Sequence, residues 1–230
     1  QNVVQYFYCV DSAGVTRRKE WALHPHRLSL SALKANAYHV YDQWHAIPED
    51  AYQYTSAFTQ CLKRRNLQPM PASDYERTLR LVVRAPQLRA SQRLVLVGDD
   101  LALGAWALDR ALPMAEVNDC EWVVDLNLDE LKGEEIAVKF VAVDADNRVA
   151  PLWETGYNRE LQLPQIGKNE VCVYQLHQAF FELWDERFAG TLVPVFSLRT
   201  KRSFGVGDFG DLKAMIAFVA QTNQRVLQVL

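Results

Sequence analysis

The sequence predicts a mainly β chain, with antiparallel β-sandwich modules followed by one parallel β-α-β unit. Three observations predict this. Four short runs between 77 and 144 alternate apolar with polar residues and are bounded by Gly, Pro, Asp or Asn. The chain also repeats itself: Phe7, Val10, Asp11, Leu28, Leu30, Val40 and Tyr41 recur 133 positions later as Phe140, Val143, Asp144, Leu161, Leu163, Val173 and Tyr174. After residue 190 the pattern changes to strand, loop, amphipathic helix and buried-type strand.

The elements follow in order. Residues 1–56 read as the C-terminal part of a first sandwich whose front half is missing. A helical pattern, "PEDAYQYTSAFTQCLKRRN", spaces Tyr54, Phe58 and Cys61 or Leu62 on one face. It runs into a linker at 57–74, whose "NLQPMPASD" is rich in Pro and small polar residues. Residues 75–178 form a complete second sandwich, with strands "RTLRLVVRA", "QRLVLVGD", "EWVVDLNL" and "EEIAVKFVAVD". A second helical pattern, "QAFFELWDERFAG", stops at Gly190 and fills a linker at 179–190. Residues 191–230 give "TLVPVFSL" as a strand, "RTKRSFGVGDFG" as a loop and "DLKAMIAFVAQTN" as a helix. Leu212, Met215, Ile216 and Val219 share one face of that helix, and "RVLQVL" is the next strand. A unit this short cannot close a core of its own, so the expectation is a chain cut at both ends.

Composition narrows the function. The net charge is −3 and no long run carries one sign, which argues against nucleic acid and anionic membrane as partners. No window approaches eighteen consecutive apolar residues, so no membrane span is expected. The N-terminal "QNVVQYFYCV" alternates and does not read as a signal peptide; it lacks a Met, so an earlier start is expected. Cys9, Cys61, Cys120 and Cys172 are scattered, with no CxxC pair and no histidine at zinc-ligand spacing. The expectation is no metal, no cofactor and a reducing, cytoplasmic setting.

Gly205, Gly207 and Gly210 in "GVGDFG" satisfy GxGxxG between strand and helix. A dinucleotide site is disfavoured. The glycines come six residues after the strand, and Asp208 would face the pyrophosphate. The favoured reading is a loop that turns tightly.

The stretch "LWETGYNRELQL" places Trp153, Glu154, Tyr157, Asn158 and Arg159 in one turn. An indole face suits the C–H face of a sugar ring, and carboxylate or amide groups suit its hydroxyls. Trp106 follows a strand and a Gly turn in "LALGAW", and Lys139 lies in an adjacent strand. Spacing alone leaves both core and platform open for Trp106 and Trp153. Trp122 alternates with Val124 and Leu126, which favours packing.

The span from Tyr75 to Tyr174 resembles a starch-binding domain of carbohydrate-binding module family 20, through "LVLVGDDLALGAW", "EWVVDLNL", "VKFVAVD" and "WETGYNRELQLP" in that order. The resemblance implies an Ig-like antiparallel β-sandwich of starch-binding type. It also implies an α-glucan site built from Trp106, Lys139, Trp153, Glu154 and Asn158. At that family's second site only Trp122 matches; Arg89, Ala90 and Ala115 stand where loop tyrosines belong. In the first copy, Tyr6, Glu20 and Pro25 replace Lys139, Trp153 and Asn158, so no binding is expected there. Trp21 could still serve as a platform in a shifted register.

The last 40 residues resemble the first β-α-β of the (β/α)8 barrel of glycoside hydrolase family 77, the 4-α-glucanotransferases (amylomaltases or disproportionating enzymes). The resemblance implies a parent that transfers α-1,4-glucan segments by a retaining mechanism. Its catalytic carboxylates would lie after Leu230, and neither Asp208 nor Asp211 is nominated. The expected ligand is an α-1,4-glucan or maltooligosaccharide, and the expected partner is the rest of its own barrel. Two alternatives stay open. The sandwiches could be structural or protein-docking modules that no longer bind sugar. They could also serve another catalytic unit, such as a phosphatase or kinase, against which "FGVGDFGDL" argues.

Overall fold

The computed structural model describes residues 3–30, 35–144, 150–182 and 188–230. In chain order the strands are β1 (Val3–Tyr6), β2 (Cys9–Ser12), β3 (Val15–Lys19), β4 (His26–Ser29), β5 (Ala37–Asp42), β6 (Arg77–Arg84), β7 (Gln92–Gly98) and β8 (Leu112–Pro113). They continue as β9 (Ala115–Asn118), β10 (Glu121–Asn127), β11 (Glu135–Asp144), β12 (Leu152–Trp153), β13 (Arg159–Gln162), β14 (Glu170–Gln175), β15 (Gly190–Val193) and β16 (Val226–Val229). Helix α1 spans Phe209–Gln221. The chain divides into two compact units, Gln1–Glu182 and Leu183–Leu230.

The first unit is a sandwich of two sheets. One sheet has the order β5-β14-β6-β10-β9; the other has β12-β11-β7-β8, with β13 also paired to β11. Alternation decides which side chains meet between them. Leu79, Leu81 and Val83 of β6 sit beside Leu126, Val124 and Trp122 of β10. Leu94 and Leu96 of β7 sit beside Ala142 and Phe140 of β11. All ten are buried. These faces form the core. Emptying the Phe140 position alone would cost about 3–5 kcal/mol.

The far face of the five-stranded sheet is also covered. Val82, Val123, Val171 and Val173 pack against Leu28 and Met70, with Tyr38 and Val40 of β5 beside them in the sheet. Arg80 and Asp125, paired across β6 and β10, form a buried two-pronged ion pair at 2.7 and 2.8 Å, and Arg80 also donates to the Pro71 carbonyl. The segment expected as a linker is thus laid onto the sheet, and Gln68 N–H donates to the Glu116 carbonyl. Of the helical pattern ahead of it, the structure keeps a 3-10 turn at Ala51–Tyr54 and a wide turn at Ala57–Leu62.

Residues 1–56 were expected as part of a separate sandwich. Instead β5 joins the sheet of the second copy, running parallel to β14. The register sets Val40 against Val173 and Tyr41 against Tyr174, so each strand lies beside its own repeat 133 residues away. The reason is physical: β14 would otherwise be an open sheet edge. Of the pattern expected as a helix over 178–190, residues 183–187 lie outside the described residues; 178–182 and 188–189 are irregular rather than helical, and Gly190 opens β15.

The second unit is the expected β-α-β. β15 and β16 pair in parallel, with α1 between them. Gly207 lies against the Val195 carbonyl, where any Cβ would overlap the oxygen. Asp208 accepts from the N–H groups of Gly210 and Asp211, and the Asp211 carboxylate accepts from the Asp208 N–H, which makes a capping box.

Candidate functional site

The candidate site lies at one end of the β12-β11-β7-β8 sheet. Residues paired across antiparallel strands point to the same face. Val141 is paired with Trp153 on one side and Val95 on the other; two residues along, Lys139 is paired with Val97. Trp153, Val141 and Lys139 therefore share the outer face, while Val138, Phe140 and Ala142 fill the core.

Trp153 remains 40% exposed over the buried Val141. The turn that follows projects Tyr157, which is 98% exposed, and Asn158, also exposed. Lys139 is half-buried and donates from Nζ to the Gly156 carbonyl at 2.7 Å, which ties the turn to the strand below. An ammonium has three donors, so this bond leaves capacity for a ligand hydroxyl.

Trp106 reaches the same end through a strained loop. Gly104, Ala105 and Trp106 have φ of 84°, 47° and 64°. A left-handed tryptophan costs of order 1–3 kcal/mol and persists only where its surroundings fix it. Here Asp100 fixes it. Its side chain accepts from Ala102 N–H at 2.7 Å and Lys132 N–H at 3.0 Å, and its carbonyl accepts from Ala105 N–H. Trp106 N–H then donates at 2.8 Å to the carbonyl of Gly98, the residue after Val97.

Glu154 differs from the role expected of it. One residue beyond the outward Trp153, it turns inward and is 4% exposed. Its carboxylate accepts from Phe140 N–H at 3.0 Å, Arg159 Nε at 3.1 Å and Arg159 Nη2 at 2.9 Å. Arg159 in turn donates to the carbonyls of His177 and Gln178 and stacks 5.0 Å from the Phe140 ring. Glu154 holds the turn rather than offering itself to sugar hydroxyls. Trp122 also departs from its possible role at a second site. It is 2% exposed on the inner face, beneath the Arg65 guanidinium, and cannot stack on a ligand. Tyr157 was not among the expected binding residues. Its signal was its place after Gly156 in the same turn.

The outer face thus carries Trp153 and Lys139, the turn after Trp153 exposes Tyr157 and Asn158, and the Trp106 backbone is bonded to Gly98 at the end of β7. Aromatic faces and amide or ammonium donors suit stacking on a sugar and bonding its hydroxyls. Among the described residues, no group of three His, Cys, Asp or Glu is placed to hold a metal.

Residues 78–173 match the family model described as starch binding domain, and residues 193–230 match that described as 4-alpha-glucanotransferase. The 4-alpha-glucanotransferase DPE2 of Oryza sativa subsp. japonica is 26% identical over 152 residues, which is 66% of this chain and 16% of that protein. The chain therefore spans about a sixth of the length of the curated relative it matches. Among solved structures, the glycoside hydrolase family 15 glucoamylase from Hypocrea jecorina aligns with a TM-score of 0.37 at 20% identity, over 46% of this chain and 17% of that one. The family 20 carbohydrate-binding module of the maltotetraose-forming amylase from Pseudomonas saccharophila STB07 aligns with a TM-score of 0.34 at 14% identity, over 43% of this chain and 99% of that one. Residues 78–173 are thus similar to the starch-binding domain family and residues 193–230 to the 4-alpha-glucanotransferase family, the two matches lying in one chain.

Proposed function

We propose that this chain is the α-glucan-binding region of a 4-α-glucanotransferase, and that Trp153 is its main sugar platform. The observation that carries the reading is an indole left 40% exposed on a turn fixed by Glu154, Arg159 and Lys139. Trp106, Asn158, Lys139 and Tyr157 complete the site; the ligand is a starch, glycogen or maltooligosaccharide chain. The parent enzyme transfers α-1,4-glucan segments with retention, through a carboxylate nucleophile, an acid–base carboxyl and an acceptor sugar in place of water. Residues 1–230 supply neither carboxyl. Asp208 and Asp211 are engaged in the α1 cap, and Asp211 also accepts from Thr200 and Ser203. Binding here raises the glucan concentration near the remainder of the barrel. Four free thiols are in keeping with a reducing, cytoplasmic setting.

Titration with maltoheptaose or β-cyclodextrin, followed by tryptophan fluorescence, tests the site. The chain should respond, and Trp153→Ala should weaken binding at least tenfold. An unchanged titration curve in that variant would sink the assignment. A docking role is favoured for the N-terminal repeat, because β5 is built into the sheet beside β14.

A further inference from the structure

Outside the Trp153 turn, a cavity of about 260 Å³ opens in the first unit. Its origin lies in the repeat. β5 and β14 run parallel in register, so the residues leaving each strand come out side by side: Trp44 and His45 beside His177 and Gln178. All four line the cavity, and Trp21, Tyr54 and Phe180 wall it with aromatic surface. Trp21 and Tyr54 are buried and packed edge to face at 5.1 Å, which makes that wall rigid. Trp44 is half-buried with Arg18 stacked 4.7 Å from its ring.

The polar complement is sparse and lacks any acid. Gln178 is engaged, accepting from Tyr54 Oη and donating to Asp50. Arg84, which lines the cavity, donates from Nη2 to the carbonyls of His24 and Pro25. His45 Nδ1 is buried without a hydrogen-bond partner. Burial, followed by the charges of Arg84, His26 and His177, holds His45 down at about 3; burial and the Arg159 charge also lower His177. Both rings are neutral at pH 7, and a neutral imidazole both donates and accepts. The two neutral imidazoles and the aromatic walls suit the hydroxyls and C–H faces of a sugar ring, and Arg84, the charged group among the lining residues, already donates to two carbonyls.

The cavity adjoins the turn already described. Thr155 N–H donates at 2.7 Å to the Phe180 carbonyl, and Arg159 donates to the carbonyls of His177 and Gln178. One extended segment thus carries the Trp153 turn on its backbone and lines the cavity with its side chains. We propose that this cavity, between Trp44 and Phe180, is a second carbohydrate subsite that takes one ring of a neutral α-glucan. The volume lies just under the range of about 300–1,000 Å³ for drug-sized ligands, which suits one ring rather than an oligomer. The proposal rests on the reading of the chain as glucan-binding, and it uses residues of the first repeat that the resemblance leaves without a role.

Calorimetric titration of the 230-residue chain with maltotriose tests it, with melting temperatures recorded for each variant. The wild type should bind two equivalents. Trp44→Ala and, separately, Phe180→Ala should each remove one, weakening it at least tenfold, while Trp153→Ala removes the other. Phe180 is exposed enough that its loss leaves the core intact, so it decides the matter should Trp44→Ala melt early. A single equivalent, lost only in Trp153→Ala, overturns the subsite and keeps the main site. A single equivalent lost only in the Trp44 and Phe180 variants keeps the subsite and overturns the Trp153 platform. Glucose 6-phosphate binding in a Trp44-dependent way, with maltotriose failing to do so, overturns the assignment to a neutral sugar.

Discussion

Replacing Glu154 with alanine separates a scaffold from a ligand. The structure gives the cost. The carboxylate is 4% exposed, and three N–H groups converge on it. Its removal leaves the Phe140 N–H without an acceptor in a fully buried residue, at about 1–3 kcal/mol. It also strands Arg159. Breaking a buried pair costs about 3–5 kcal/mol, but Arg159 is partly exposed and keeps two carbonyl acceptors, so the low end applies. The expected total for Glu154→Ala is about 4–6 kcal/mol. At roughly 2–4 °C per kcal/mol, the melting temperature should fall by about 8–24 °C. Glu154→Gln keeps an acceptor for Phe140 and should cost about half as much.

The assay is urea denaturation of the chain beside glucan titration well below melting. A ligand carboxylate facing solvent would give the opposite pattern: stability within about 0.5 kcal/mol of the wild type and binding lost. Stability unchanged in Glu154→Ala, with glucan binding abolished, would refute the inward orientation argued from alternation. The Gln variant sharpens the comparison, because a scaffold tolerates it in binding once the chain is folded.

Three further outcomes are expected. Tyr157→Ala should leave stability within about 0.5 kcal/mol and weaken maltoheptaose binding severalfold, as fluorescence titration would read; no change would remove Tyr157 from the site. His45 is held at about 3 against 6.5 in the unfolded chain, so the unfolded state binds the extra proton between these values. Its contribution is full above pH 6.5 and is lost as the pH falls toward 3, with about 2–3 kcal/mol lost between pH 6 and 4. His45→Phe keeps a ring against His26, stacked at 3.9 Å, and should flatten the denaturation midpoint across that window; an unchanged slope would reject it. Asp208→Ala removes the α1 cap and should cost the second unit about 1–2 kcal/mol, read as lost helical ellipticity.

Much of the fold was legible because its signal is local. The runs at 77–85, 92–99, 121–128 and 134–144 became β6, β7, β10 and β11 with ends shifted by about one residue. Trp122 was readable as core from the same alternation. Glu154 could have been read that way too: next to an outward Trp153, period two turns it inward. What could not be read is non-local. Nothing local in Ala37–Asp42 says that it will lie parallel to β14. That pairing is decided by an open edge, and it sets Tyr38 and Val40 beside Val171 and Val173 as an extension of the same apolar face. The strain at Trp106 was equally hidden, since only the bonds from Asp100 and Gly98 make a left-handed tryptophan tenable.

The two repeats show which residues serve the fold and which serve the ligand. Val40 and Val173 persist in both because each packs against the same sheet. At the position of Trp153 the first repeat has Glu20, and at that of Glu154 it has Trp21. Both turn inward: Glu20 accepts from Tyr8 N–H, His45 N–H and His26 Nε2, and Trp21 packs on His24 and Tyr54. Burial pushes the Glu20 carboxyl up, but these three donors outweigh it and hold it below its ordinary range. A glutamate so bound fixes the segment that carries His45 and Trp44. The exchange that removed a sugar platform from the first repeat therefore built the wall of the cavity beside the second. If that is so, Glu20→Gln should disturb the Trp44-dependent equivalent and leave the Trp153-dependent one in place; loss of both together would mean that Glu20 supports the sandwich as a whole.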